Sequence, residues 1–180
     1  IRKCGFVTYR SWVIVNFLLS TGIRQNSLIN IKIKDLDFDN DMVYINTTKN
    51  RKSLIIPLNE DIVKILHEYL KYRGGGSEDW LFCSIYGEKM TKGANYTALW
   101  DYSHSRGLDK TGVHRYRHTF AKKWVTMGGS IVTLQKILGH SSLAITEGYL
   151  NMLTTDLKKD MNEINIIRSL KQERMQIVRH

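Results

Sequence analysis

Five consecutive residues, His114, Arg115, Tyr116, Arg117 and His118, concentrate more cationic and proton-transferring chemistry than any other stretch of this chain. His114 and Arg117 are three apart, so on a helix they share a face and can reach one ligand. The apolar pattern starts that helix at about His114, which puts both near its N-terminal end, where backbone N–H groups and the helix dipole favour negative charge. A metal reading competes: His114 and His118 are spaced four apart, with His140 available as a third ligand. Arg115 and Arg117 oppose it, because two guanidinium groups repel a dication and no carboxylate lies in the run. An anion fits better. His140 falls between a helix closed by Gly139 and one opened by Ser141 or Ser142, and Tyr149 follows about two and a half turns later. Singly these are a surface histidine, a solvated arginine and a core tyrosine; their grouping is what carries chemistry.

Asp37, Asp39 and Asp41 imitate the opening of a calcium loop, but the glycine and glutamate that such a loop needs are Met42 and Thr48 here. A solvated turn between two strands is the better reading, and no metal or other cofactor is expected. The whole chain is strongly basic, with 27 Lys and Arg against 17 Asp and Glu, a net charge of +10 over 180 residues. That balance points to a polyanionic partner, nucleic acid before an anionic membrane. Cys4 and Cys83, the two cysteines, make neither a disulfide framework nor a thiolate metal site and suit a reducing, cytoplasmic setting. The longest apolar run, residues 12–19, is broken by Asn16 and is far short of the ~20 residues of a membrane span. No signal peptide precedes it. The chain opens on Ile1 rather than methionine and reads as a fragment.

The elements that must position these groups follow from periodicity. Thr8 is expected to cap a helix through Ser20, ended by Thr21 and Gly22, with a short helix at 25–30. Segments 34–38, 42–47 and 53–58 are rich in β-branched and aromatic residues and are separated by turn-forming runs, which predicts a three-stranded antiparallel meander. Pro57 closes the last strand. Asn59 caps a helix to Tyr72, and residues 80–82 form a short buried segment. Helices are expected over 91–106, 114–127, from Ser130 to Gly139, from Ser141 or Ser142 to about Asn151, and from Asp156 onward. The fold class is mainly α with one small sheet.

Four motifs in order resemble the tyrosine recombinase (integrase) family. His114-x-x-Arg117-His118-Thr119-x-Ala121, then Leu138-Gly139-His140-x-Ser142, then Tyr149 nine residues beyond that histidine, match the family's C-terminal half. Upstream, Thr21-Gly22-Ile23-Arg24 with Leu28 is similar to its T-G-L-R-x-x-E-L box. Thr48-Lys49-Asn50-Arg51-Lys52 followed by Ile55-Ile56-Pro57-Leu58 is similar to its lysine hairpin. The resemblance spans about residues 8–152. It implies the tyrosine recombinase catalytic-domain fold and a site of Arg24, Lys49, His114, Arg117, His140 and Tyr149. Arg24 and Arg117 would clamp the non-bridging oxygens of a phosphodiester through permanently charged planar forks, and His140 would add a hydrogen bond. Tyr149 would attack phosphorus, giving a 3′-phosphotyrosyl link and a free 5′-hydroxyl, with no ATP and no metal. The resemblance alone assigns Lys49 as general acid for the leaving oxygen and His114 as acceptor of the tyrosine proton, a phenol of pKa ~10.

Two departures are evident. Ser27 stands where the family box has an orienting glutamate, and Leu150 follows the nucleophile where threonine is common. His118 is expected to be structural, packing beneath the site. Residues 1–155 are read as the catalytic domain. Residues 156–180 form a helical tail whose stripe of Leu157, Met161, Ile164 and Ile167 is expected to dock on a neighbouring protomer. The family's separate N-terminal core-binding domain is expected to lie outside this chain. Double-stranded DNA and a dimer-to-tetramer assembly are the implied partners. A type IB topoisomerase shares the catalytic set and is the nearest alternative. A non-catalytic helix-turn-helix binder explains the charge but leaves Arg24, Lys49 and Tyr149 without a role.

Overall fold

The computed structural model describes residues 3–46, 53–139 and Gly148. Within them the chain is mainly helical with one three-stranded antiparallel sheet, the class expected from periodicity. Helix α1 (Lys3–Thr21) is the spine. Its Val13, Ile14, Phe17 and Leu18 are fully buried, and it packs against α3 (Glu60–Arg73), α4 (Lys92–His104) and α5 (Val113–Thr126). A helix enclosed on most sides needs apolar residues around its axis, which is why the run at 12–19 lacks a clean amphipathic stripe. Thr8 lies inside α1 rather than at its start, so the helix begins about a turn and a half earlier than the cap signal places it.

The C-terminus of α1 is closed by two devices. Thr21 donates its hydroxyl back to the Phe17 carbonyl at 2.6 Å, and Gly22 turns the chain at φ +60° while its N–H reaches Leu18 O at 2.8 Å. Any β-carbon at Gly22 would lie 2.4 Å from Phe120 Cδ1, so this residue is glycine for its backbone angle and for the ring packed upon it. Gly22→Ala is expected to destabilise the domain by about 2–3 kcal/mol, from left-handed strain and overpacking together. A thermal melt showing a shift of less than a degree would contradict this.

A short α2 (Gln25–Leu28) follows. The first expected strand is largely replaced by a 3₁₀ turn, Ile33–Asp35, leaving β1 only Leu36–Asp37. The cause is local: the Asp35 carboxylate accepts the Lys32 N–H at 2.8 Å, a capping contact that competes with the ladder. Strands β2 (Met42–Asn46) and β3 (Ser53–Pro57) form the rest of the sheet, in the order β1-β2-β3. Their register pairs Val43 with Ile56 and Ile45 with Leu54. Val43, Ile45 and Ile56 face the core, whereas Tyr44 and Ile55 face outward, the alternation of a one-sided sheet. Pro57 ends the edge strand β3, as expected.

Asn59 caps α3, its side chain accepting the Ile62 N–H at 3.0 Å. Leu81 and Phe82 are buried beside Tyr69, whose hydroxyl donates to Leu81 O at 3.1 Å. Thr91 caps α4. A second, smaller cluster of Phe120, Ala121, Val125, Leu134 and Leu138 joins α5 to α6 (Ile131–Leu138). Ser130 caps α6, and Gly139 closes it in the left-handed conformation at φ 60°. Among the described residues no helix is long and apolar enough to cross a membrane.

Candidate active site

Three elements distant in sequence end at one point: the C-terminus of α1, the first turns of α5 and the C-terminus of α6. Arg117 joins them. It lies on α5 but only 7 % of it is exposed. Its Nη1 donates to Gly22 O at 2.6 Å and its Nη2 to Leu138 O at 2.8 Å. Arg24, exposed just beyond α1, reaches the same carbonyl, with Nη1 donating to Leu138 O at 3.0 Å. Its longer contacts to Gly139 O, at 3.5 and 3.4 Å, are weaker.

The last carbonyls of a helix have no partner within it, and they carry the negative end of its dipole. Leu138 O therefore suits two cationic donors at once. The arrangement holds two guanidinium groups of like charge close together, one anchored beneath the surface and one at it. Among the described residues, no carboxylate forms an ion pair with Arg24; the ion pairs there involve Lys32, Lys34, Lys64, Lys71 and Arg73. A site built of paired forked cations around a neutral acceptor is complementary to an oxyanion such as a phosphodiester.

His114 sits exposed in the first turn of α5. That turn is held by three hydroxyls: Ser103 Oγ lies 2.7 Å from Tyr116 Oη and 2.8 Å from Thr111 Oγ1, and Thr111 donates to Tyr116 at 3.1 Å. Ser103 is fully buried on α4, so the triangle ties the start of α5 to α4 across the connecting loop. Gln25 Nε2 donates to Lys92 O at 2.8 Å, which ties α2 to the first turn of α4 beside Arg24. Neither contact was visible in the sequence, where Ser103, Thr111 and Gln25 are ordinary polar residues; only Tyr116, inside the histidine–arginine run, stood near a signal.

The structure thus brings Arg24 and Arg117 together and puts His114 on the same helix as Arg117. Lys49, His140 and Tyr149 lie outside the described residues, as does the tail from Asp156 onward; Gly139, the residue before His140, is the last described position of that motif. One expectation is corrected: His118 is exposed on α5, and the buried position beneath the site belongs to Arg117. The reason is helical geometry, since Arg117, not His118, lies one turn before Phe120 and Ala121 on the face that meets α1 and α6. Ser27 is partly buried on α2 and supplies no charge.

The chain matches the phage integrase family over residues 5–156. It is 32% identical over 148 residues to the tyrosine recombinase XerA of Saccharolobus solfataricus, covering 82% of this chain and 48% of that protein. It is 31% identical over 154 residues to the tyrosine recombinase XerC of Staphylococcus epidermidis, covering 83% of this chain and 52% of that one. The chain therefore spans about half the length of the curated relatives it matches. Among solved structures, a XerA recombinase superposes with a TM-score of 0.75 at 28% identity, over 91% of this chain and 62% of that one. XerH site-specific recombinase, bound to its difH substrate in a pre-cleavage complex, gives 0.66 at 26% identity, over 78% and 42%. The fold is that of tyrosine recombinase catalytic domains. Because the family match runs from the first turns of α1 past Tyr149, and takes in both arginines joined at Leu138, the chain belongs to the phage integrase family.

Proposed function

We propose that this chain is the catalytic domain of a site-specific DNA recombinase that cuts and rejoins one strand at a time through Tyr149. The observation that carries the reading is the convergence of Arg24 and Arg117 on one helix-end carbonyl, immediately before the His140 motif. Two fixed cations so placed stabilise the negative charge that grows on the non-bridging oxygens in the transition state. The Tyr149 hydroxyl oxygen forms the new bond to phosphorus and its proton passes to His114. The bond from phosphorus to the 5′-oxygen breaks, and Lys49 protonates that oxygen. His140 donates to the same phosphate. The phosphotyrosyl ester keeps the energy of the broken bond, so the reverse attack by a 5′-hydroxyl reseals the strand. The relatives' names as tyrosine recombinases and XerH's DNA complex support this direction. A substrate of chromosomal or mobile-element DNA implies action in the cytoplasm, on the nucleoid.

The test is a nicked suicide duplex bearing the protein's own recombination site. A covalent protein–DNA adduct mapping to the peptide that contains Tyr149 supports the reading. An adduct on another tyrosine, or none at all, overturns it. Exchange of strands between two duplexes separates a recombinase from an enzyme that only relaxes one supercoiled circle.

The apolar stripe of the tail supports an assembly role: Leu157, Met161, Ile164 and Ile167 recur at helical spacing and need a surface to cover them. In this reading the tail docks on a neighbouring protomer, and the active assembly on DNA is a dimer to tetramer. Deleting residues 157–180 is expected to weaken paired-site assembly at least ~10-fold while leaving single-site binding within about 2-fold. Gel-shift titration of one- and two-site DNA checks it, and unchanged two-site assembly would refute it.

A further inference from the structure

The carbonyl end of α6 does more than close a helix. Leu138 O accepts both Arg117 Nη2 at 2.8 Å and Arg24 Nη1 at 3.0 Å. Its direction is set by Gly139, which leaves the helix at φ 60° with its N–H on Gln135 O and Lys136 O. A β-carbon at Gly139 would sit 3.5 Å from Arg24 Nη1 and 3.7 Å from Leu54 Cδ2, ordinary contacts, so room is not what demands glycine there; the backbone angle is. Arg24 has only these helix-end carbonyls as hydrogen-bond acceptors among the described residues. Ser27, one turn along from Arg24, brings no carboxylate. The negative end of α6, together with Gly22 O at the end of α1 for Arg117, opposes the mutual repulsion of the two guanidinium groups.

We infer that Leu138 and Gly139 form the positioning element for the arginine pair, with the helix-end carbonyls doing the orienting work of an acidic side chain. This rests on the strand-cleavage reading above. The same two residues immediately precede His140 in the sequence. Leu138 and Gly139 meet the arginines through main-chain carbonyls, so their effect is expected in rate rather than in DNA affinity.

The experiment compares wild type, Gly139→Ala and Gly139→Asn on two suicide duplexes, one with an ordinary scissile phosphate and one with a methylphosphonate. The neutral methyl group replaces a charged non-bridging oxygen and lowers the demand on the arginines. Alanine strains the left-handed turn, whereas asparagine tolerates it. Gly139→Ala is expected to slow cleavage of the phosphodiester roughly 10-fold or more at saturating DNA, with binding within about 2-fold. Cleavage of the methylphosphonate should stay within about 2-fold of wild type, and Gly139→Asn should recover most of the phosphodiester rate. Equal losses on both substrates, or no loss on the phosphodiester, overturn the inference. Nitrogen NMR of the arginine side chains gives a readout independent of cleavage. Rotation of the Arg24 guanidinium should be hindered in wild type and Gly139→Asn and freed in Gly139→Ala; free rotation in wild type also overturns it. A wild type that forms no adduct yet shows the hindered rotation would sink the cleavage reading and spare the carbonyl contact.

Discussion

Tyr149→Phe abolishes covalent adduct formation, a loss of at least roughly 10³-fold in strand cleavage, while DNA affinity stays within about 2-fold of wild type. The substitution removes one oxygen and keeps the ring, so a change in packing does not account for the loss. No other group in the proposed set substitutes for that oxygen: Arg24 and Arg117 have no nucleophilic lone pair at neutral pH, Lys49 serves as the proton donor to the leaving oxygen, and an imidazole attack would leave a hydrolysable phosphoramidate. Affinity survives because it comes mainly from cations meeting the phosphate backbone, of which a chain with net charge +10 has many. The same argument predicts that binding of both proteins falls steeply and in parallel as salt rises. Quenched adduct assays on a suicide duplex, alongside salt titrations of binding, measure both halves. Residual adduct in Tyr149→Phe at the wild-type rate would remove Tyr149 from the mechanism.

Arg117→Ala carries two penalties that separate in measurement. The first is catalytic. Loss of one preorganised cation at the developing charge costs roughly 10²- to 10³-fold in cleavage. The second is structural, and the sequence motif alone gives no hint of it. Arg117 is buried, and it bridges Gly22 O at the end of α1 to Leu138 O at the end of α6. Truncation leaves Gly22 O without that donor and opens a gap where the long side chain packed, a combined cost of about 2–3 kcal/mol. Arg117→Lys keeps the charge but has no planar fork to hold two divergent carbonyls. It is expected to recover part of the stability and little of the rate. Arg24→Ala provides the contrast: Arg24 is exposed, so the rate should fall comparably while the melting temperature barely moves. Equal destabilisation by the two alanine substitutions would show that the buried bridge is not what distinguishes them.

Much of the fold was legible in the sequence. The helix–sheet–helix order, the caps at Asn59 and Ser130, the breaks at Gly22 and Gly139 and the pairing of the small sheet all follow from local chemistry. Local signals fail where two local preferences compete. Thr8 reads as a cap but is overrun by α1, because burial against α3, α4 and α5 rewards a longer helix. Residues 34 and 35 read as the start of a strand, but the Asp35 carboxylate satisfies the Lys32 N–H and bends the chain first. Types and spacing singled out His114 and Arg117 as anion-handling groups, and the family resemblance added Arg24.

The sequence by itself determined the chemistry available to this protein: permanent cations, an exposed histidine and a tyrosine in an order that resembles one family. Only the tertiary structure decided how the two arginines divide their work. Charge and spacing are the same for a buried arginine as for an exposed one. What separates Arg117 from Arg24 is which helix ends come within reach, and that depends on α1, α5 and α6 packing through Phe120 and Leu138. Gly22 shows the same division: its need for a left-handed angle is readable from a helix end, whereas the Phe120 ring that excludes any side chain there arrives from a distant helix.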